Sequence, residues 1–194
     1  EARNRHTYVA AHAYTPEAII LAVENGVHTI EHGNLVDDAA ARVMAARGAI
    51  MVPTLSTYEA MEEVGAKLGL PAANLRKNKK VFEAGLASVQ IARNAGVTLG
   101  FGTDLIGETQ SRQNREFSIR AQVETAEQIL QAMYVVGARL CRLEGEIGTL
   151  KPGAIADMVI CEQNPLDDIR VLADPARFSH VIQGGRIVSR SEGA

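Results

Sequence analysis

The chain has 194 residues, of which 46% are hydrophobic, so it is long and apolar enough to bury a sizeable core. A formal net charge of -3 at pH 7 gives no electrostatic reason to expect nucleic acid or an anionic membrane surface as a partner. Aromatic residues make up 4% of the chain, which argues against base stacking, and no apolar run is long enough to predict a membrane span.

The first part of the chain alternates strand-like and helix-like segments. Strands are predicted at residues 9–12, 29–32, 49–55 and 97–102. The first helix begins after Thr15 and stops at Gly26, and the second is capped by Asp37 or Asp38 and stops at Gly48. Two further helices are predicted at 57–68 and 72–94. This alternation predicts a parallel sheet with right-handed crossovers.

The pattern changes downstream of the fourth strand. Residues 105–115 are predicted as a polar loop, and short helices follow near 116–123, from a capping box at 125–128, and at 136–143. Beyond them, glycine and proline turns surround a strand at 157–161, and residues 180–189 predict a hairpin whose two-residue turn is Gly184–Gly185. We therefore predict two domains, residues 1–143 and residues 144–194.

The fold class predicted from this organisation is α/β, with four strand–helix units of a (β/α)8 barrel followed by strands of a small β layer. Four units are half of the eight that such a barrel contains. An open half-barrel would leave unpaired strand edges, and two or three short β strands are marginal alone. We therefore expect both parts to pair with strands that this sequence does not contain.

Three of the predicted strands end in, or are followed closely by, a side chain that can bind a metal: His12, His32 and Asp104. The downstream ends of parallel strands open on one face of the sheet, where βα barrels place their chemistry. Two imidazoles and a carboxylate on that face suit a divalent metal such as zinc. Each residue also has a structural alternative. A single histidine at a strand end is more often an ordinary hydrogen-bonded polar residue, and Asp104 could instead cap a helix.

Five short motifs occur together and in order, and as a set they resemble one family. They are HAYTPEAI at 12–19, IEHGN at 30–34, VPTL at 52–55, GFGTD at 100–104 and GTLKPGAIAD at 148–157. The chain resembles the C-terminal half of a metal-dependent amidohydrolase, and within that superfamily it is similar to the imidazolonepropionase-like group that includes the Xaa-Pro dipeptidases, or prolidases.

The resemblance implies a distorted (β/α)8 barrel with a small β-sandwich and a site for two metal ions, expected to be Zn2+. His12, His32 and Asp104 would match the ligands that end strands 5, 6 and 8, and Asp104 would also carry the proton of a metal-activated water. Family members need further ligands, a His-x-His on strand 1 and usually a carboxylated lysine on strand 4, which this sequence lacks. The missing N-terminal half of the barrel is therefore an expected partner.

The resemblance also points to residues that would bind substrate. Tyr14 lies two residues after His12, so in a strand it projects to the same side, where it could hydrogen-bond the carboxylate of a dipeptide; the alternative is a rim tyrosine without a role. Tyr58 is a second candidate. Arg112 could attract a carboxylate from the polar loop after Asp104, or it could simply be solvated there.

The function these features favour is hydrolysis of an amide bond in a small molecule or dipeptide, most directly of Xaa-Pro type, by an enzyme that we expect to be a homo-oligomer. Hydrolysis of a cyclic amide or deamination of a heterocycle is the alternative within the same superfamily. A different class of hypothesis is that the chain is a non-catalytic half, which is active only when complemented.

Overall fold

The computed structural model of the chain describes residues 1–190, so the last four residues of the predicted second domain lie outside the described part. The chain divides into two compact units, with the boundary between Arg112 and Gln113. None of the helices in residues 1–190 is long and apolar enough to cross a membrane.

The first unit contains a parallel sheet of four strands whose spatial order is the order of the sequence, β1-β2-β3-β4. Its strands are β1 (Ala10–Ala13), β2 (Thr29–His32), β3 (Ile50–Val52) and β4 (Thr98–Leu99). Its helices are α1 (Pro16–Glu24), α2 (Asp38–Arg47), α3 (Leu55–Val64) and α4 (Ala72–Asn94). Sequential parallel neighbours joined by helices are the arrangement of a (β/α) barrel, so the α/β class and the parallel sheet are confirmed.

Local sequence signals explain where the first helices begin and end. The side chain of Thr15 accepts a hydrogen bond from the backbone N–H of Ala18 at the start of α1, and Asp37 does the same for Ala40 at the start of α2. Gly48 ends α2 with φ 64°, the left-handed conformation that glycine adopts without strain.

The core of the first unit lies between the sheet and its helices. Strand β3 is buried along its whole length, and α2 buries Met44 completely. Strands that read as continuous apolar runs are expected where helices cover a parallel sheet. The apolar stretch at 49–52 therefore forms an inner strand of the sheet, between β2 and β4.

The third strand is shorter than predicted, and the third helix begins earlier. The sequence predicts a strand through Leu55, whereas β3 ends at Val52 and Leu55 is the first residue of α3. Pro53 is the physical reason, because it has no backbone N–H with which to continue the ladder. The fourth strand is likewise shorter than the predicted 97–102, and residues 107–112 form a 3-10 segment inside the predicted loop.

The second unit contains short helices and a separate antiparallel sheet in the order β5-β6-β7. Its helices are α5 (Arg115–Arg120), α6 (Ala126–Leu130) and α7 (Gly137–Cys141), with a π-helical segment Gln131–Val136 between the last two. Its strands are β5 (Met158–Cys161), β6 (Phe178–Gln183) and β7 (Arg186–Arg190), and 3-10 segments span Ile169–Ala173 and Pro175–Arg177.

Two local predictions in this unit are confirmed. Thr125 and Gln128 form the predicted capping box at the start of α6. Gly184 and Gly185 both have positive φ, 55° and 78°, as the predicted primed turn between β6 and β7 requires.

The predicted domain boundary between residues 143 and 144 falls inside this second unit. Helix α5 is grouped with the downstream residues because it packs on the 3-10 segment at 169–173, and the side chain of Asn114 donates a hydrogen bond to the carbonyl of Leu172. The assignment of residues 1–143 and 144–194 to separate functional domains remains a prediction.

Candidate metal centre at the strand ends

Two histidines from neighbouring strands meet at the downstream edge of the parallel sheet. Nε2 of His32 lies 2.8 Å from Nδ1 of His12, and the ring centroids are 4.5 Å apart. His32 is buried, with 4% of its surface exposed, whereas His12 is exposed. The structure therefore brings together two of the three predicted metal ligands and presents their nitrogens to each other.

Regular strand geometry alone would not produce this contact. In the register of β1 and β2, His12 is paired with Glu31 and Ala13 is paired with His32. Side-by-side residues of neighbouring strands point to the same face, so an extended His32 would share the face of Ala13 and not that of His12. The backbone of His32 is instead left-handed, with φ 75°, which takes its side chain out of the strand alternation.

Asp104 shares this unusual backbone. Its φ is 51°, so two of the four non-glycine residues with positive φ among the described residues are predicted metal ligands. A left-handed conformation costs an L-residue roughly 1–2 kcal/mol, less for aspartate, and such residues concentrate at functional sites. The left-handed backbone at the end of β2 and five residues after β4 therefore marks His32 and Asp104 as candidate functional residues.

The charge of Asp104 acts on His32, but the three predicted ligands do not form one cluster. Burial and the neighbouring His12 lower the pKa of His32, while the Asp104 carboxylate acts in the opposite direction. Within residues 1–190, no three side chains of His, Cys, Asp or Glu are grouped so that they could hold a metal ion. The described residues therefore supply part of a ligand set.

The two histidine nitrogens are suitable ligands for a divalent metal. Lowering the pKa of His32 favours the neutral imidazole, which is the form that binds metal. The other ring nitrogen of His32, Nδ1, lies 2.7 Å from the hydroxyl oxygen of Thr54. A ligand histidine commonly hydrogen-bonds through its second nitrogen, which fixes the ring. His32 Nε2 and His12 Nδ1 are therefore the atoms that would hold the ion.

Two tyrosines lie against the histidine pair. The ring of Tyr14 stacks on His32 with centroids 5.2 Å apart and an interplanar angle of 10°, and it meets the ring of His12 edge-on. The hydroxyl of Tyr14 lies 2.7 Å from the hydroxyl of Tyr58. Burial, and then the hydrogen bond with Tyr14, raise the pKa of Tyr58, so its phenol stays protonated. The structure thus places both tyrosines predicted to bind substrate beside the histidine pair.

Arg112 is paired with a carboxylate of the same chain. Its guanidinium contacts the carboxylate of Glu63, which lies near the end of α3. This ion pair joins the 3-10 segment that follows Asp104 to the helix that carries Tyr58. The predicted role of Arg112 in attracting a substrate carboxylate stays a prediction, and any such substrate would compete with Glu63.

Thr54 is the residue of this site that sequence reasoning missed. It follows the buried strand β3 and is itself buried, with 4% of its surface exposed. A threonine directly before a helix is normally assigned as its cap. The preceding Pro53 was the available signal that the strand stops there and that Thr54 stands at a strand end, like His12 and His32.

The second unit has a cavity of about 740 Å³, which lies between the π-helical segment and the antiparallel sheet. Its lining is largely apolar and includes Tyr134, Leu150 and Val159. None of the residues predicted for the site lines it. The chemistry predicted from the sequence is therefore confined to the first unit.

Comparison with known proteins places these features in a family. Residues 1–188 match the amidohydrolase family. A prolidase crystallised with N-methylphosphonate-L-proline is 47% identical and superposes with a TM-score of 0.94 over 98% of this chain and 47% of its own. A Xaa-Pro dipeptidase with methionine bound in its active site is 28% identical, with a TM-score of 0.84 over 97% of this chain and 46% of its own.

A curated relative is more distant. The ochratoxinase of Aspergillus niger is 27% identical over 188 residues, which are 96% of this chain and 39% of the relative. The chain thus spans about half of these solved structures and less of the curated relative. The match over residues 1–188 and the shared fold show that this chain belongs to the amidohydrolase family.

Proposed function

We propose that the protein containing this chain is a metal-dependent hydrolase of amide bonds, of the Xaa-Pro dipeptidase type. The observation that carries the proposal is the meeting of His12 Nδ1 and His32 Nε2 at 2.8 Å, with the second nitrogen of His32 held by Thr54. The similarity to a prolidase at 47% identity supports the peptide substrate.

The four parallel strands fit the second half of a (β/α)8 barrel. We assign β1, β2, β3 and β4 to barrel strands 5, 6, 7 and 8, so that His12, His32 and Asp104 stand at the ends of strands 5, 6 and 8. The first half would supply the remaining ligands of a site for two metal ions, for which zinc is our proposal. A homo-oligomer is proposed on the family resemblance.

A bound divalent cation would polarise the scissile carbonyl and acidify water to a pKa of about 7. His12 and His32 would hold the cation as neutral imidazoles. The carboxylate of Asp104 accepts the proton of the attacking water and passes it to the departing amine nitrogen. Tyr14, whose hydroxyl is beside that of Tyr58, donates a hydrogen bond to the substrate carboxylate.

Replacement of the two histidines tests the proposal in the protein that contains this chain. We expect His12→Ala and His32→Ala each to lower the bound zinc, measured by mass spectrometry, together with the hydrolysis of Xaa-Pro dipeptides. His28→Ala is the matched control, because His28 precedes β2 and packs edge-on against Tyr8, so metal and activity should be retained.

Unchanged metal content in both variants would contradict the ligand assignment. The substrate class is tested separately with a panel of Xaa-Pro dipeptides, cyclic amides and amino-heterocycles. The similarity to ochratoxinase means that membership of the family alone does not select a dipeptide. Turnover of a cyclic amide or a heterocycle, with no cleavage of Xaa-Pro, would replace the dipeptidase by the alternative activity.

A further inference from the structure

A continuous run of hydrogen-bonding groups crosses the candidate site. It passes from His12 Nδ1 to His32 Nε2 over 2.8 Å, and from His32 Nδ1 to Thr54 Oγ1 over 2.7 Å. The hydroxyl of Tyr58 lies 2.7 Å from that of Tyr14. Burial and the hydrogen bond with Tyr14 raise the pKa of Tyr58, and a hydrogen bond from the Thr54 side chain opposes that rise. Thr54 is the only hydroxyl in this run that contacts a histidine, so it joins the two rings to the tyrosine pair.

The side chain of Thr54 does not make the capping hydrogen bond expected at the start of α3. Thr54 stands at the N-cap of that helix. The side-chain oxygen of a threonine at this position normally accepts from a backbone N–H of the first turn. The hydroxyl is directed to His32 instead, on a backbone with φ -140° and ψ 61°.

We propose that Thr54 is a positioning residue that sets the tautomer of His32 and gives the run of hydrogen bonds one direction, toward Tyr14. His32 donates its Nδ1–H to Thr54, so its Nε2 lone pair faces His12. Thr54 has a single hydroxyl proton, which it donates to Tyr58, and Tyr58 donates to Tyr14. The proton of Tyr14 is then left for an oxygen of the substrate.

If the hydrogen bond between Thr54 and His32 ran in the opposite direction, neither His32 Nε2 nor Tyr14 could act as proposed. If Thr54 donated its proton to His32 Nδ1, the ring would carry its proton on Nε2, and that nitrogen could not bind a metal. The hydroxyl of Thr54 would then have no proton for Tyr58. The direction of one hydrogen bond therefore decides both the ligand atom of His32 and the donor at Tyr14. Its consequences for metal and substrate rest on the proposed function, whereas the tautomer does not.

The tautomer is measured in the metal-free protein that contains this chain, labelled with 15N-histidine, where nitrogen chemical shifts distinguish protonated Nδ1 from protonated Nε2. The His32 signal is assigned by its loss in His32→Gln. We expect Nδ1 to carry the proton in the unmodified protein. A proton on Nε2 there would overturn the proposal without any variant of Thr54, even if every such variant failed to fold.

Zinc affinity is then compared between Thr54→Val, which removes the hydroxyl at nearly constant shape, and Thr54→Ser, which keeps it. We expect Thr54→Val to lose the Nδ1–H preference and to weaken zinc binding about 10–100-fold, as loss of a hydrogen-bond partner of a ligand histidine does. Thr54→Ser should stay within about threefold of the unmodified protein. Thr54→Val with an unchanged tautomer and an unchanged zinc affinity would refute the positioning role.

A second variant separates this inference from the proposed function. Tyr58→Phe interrupts the run after Thr54, so it should leave the tautomer of His32 intact and should raise KM for Xaa-Pro dipeptides more than it lowers kcat. A change of the His32 tautomer in this variant would contradict the proposed direction. If the unmodified protein bound no zinc and cleaved no dipeptide, the proposed function would fall, and the nitrogen shifts would still decide the role of Thr54.

Discussion

Replacing Gly33 with alanine tests whether close packing holds the backbone that turns the end of β2 toward His12. Gly33 follows His32 and has φ 63°, a conformation that costs an alanine about 1 kcal/mol. A Cβ atom built on Gly33 would lie 2.5 Å from Sδ and 3.0 Å from Cγ of Met51, which is completely buried in β3. Overpacking of this kind costs about 1–3 kcal/mol, so the total loss should be about 3 kcal/mol.

Gly48→Ala is the matched control. Gly48 has φ 64°, almost the same as Gly33, but no heavy atom lies within 4 Å of a Cβ built there. It should therefore lose only the backbone contribution, about 1 kcal/mol. Free energies of unfolding from urea titrations, followed by far-UV circular dichroism, measure both losses. Equal losses for the two variants would show that Met51 moves aside at no cost, and that packing does not hold the turn after His32.

Three further predictions follow from the site and from the second unit. Asp104→Asn should lower kcat for Xaa-Pro dipeptides at least ~100-fold with an unchanged circular dichroism spectrum, since asparagine tolerates φ 51°; near-normal turnover would end its role as proton carrier. Tyr14→Phe should raise KM for dipeptides with a free carboxylate but not for their amides, and an equal effect on both would count against carboxylate binding. Arg120→Met should cost about 3–5 kcal/mol of stability because it breaks a fully buried ion pair with Glu124. Glu83→Gln, in an exposed pair on α4, should change stability by less than ~1 kcal/mol, and comparable losses would refute the buried-pair argument.

The features that the sequence predicts correctly depend on near neighbours along the chain. The caps at Thr15 and Asp37, the capping box at Thr125 and the two-glycine hairpin turn each involve residues within three positions of one another. Their hydrogen bonds form whenever the local backbone adopts one conformation, whatever surrounds it. The repeated strand–helix alternation adds the parallel sheet, because parallel neighbours need a long crossover.

The boundary between β3 and α3 shows where this reasoning fails. An apolar run continuing through Pro53 to Leu55 predicts one strand, yet the helix begins at Leu55. The apolar pattern cannot separate a buried strand from the first turn of a buried helix. The early start of the helix places Tyr58 on the first turn of α3, where its hydroxyl reaches that of Tyr14.

The sequence by itself determined which residues lie near the downstream strand ends, because the local spacing of apolar residues predicts the order of strands and helices. Tertiary structure alone decided which of their atoms meet. The pairing of β1 with β2 assigns His12 and His32 to opposite faces, and only the left-handed turn at His32 brings Nε2 to Nδ1. A positive φ at a histidine is strained, and the side chain it directs contacts His12 and Thr54, which are distant in the sequence, so no pattern of neighbouring residues could have revealed it.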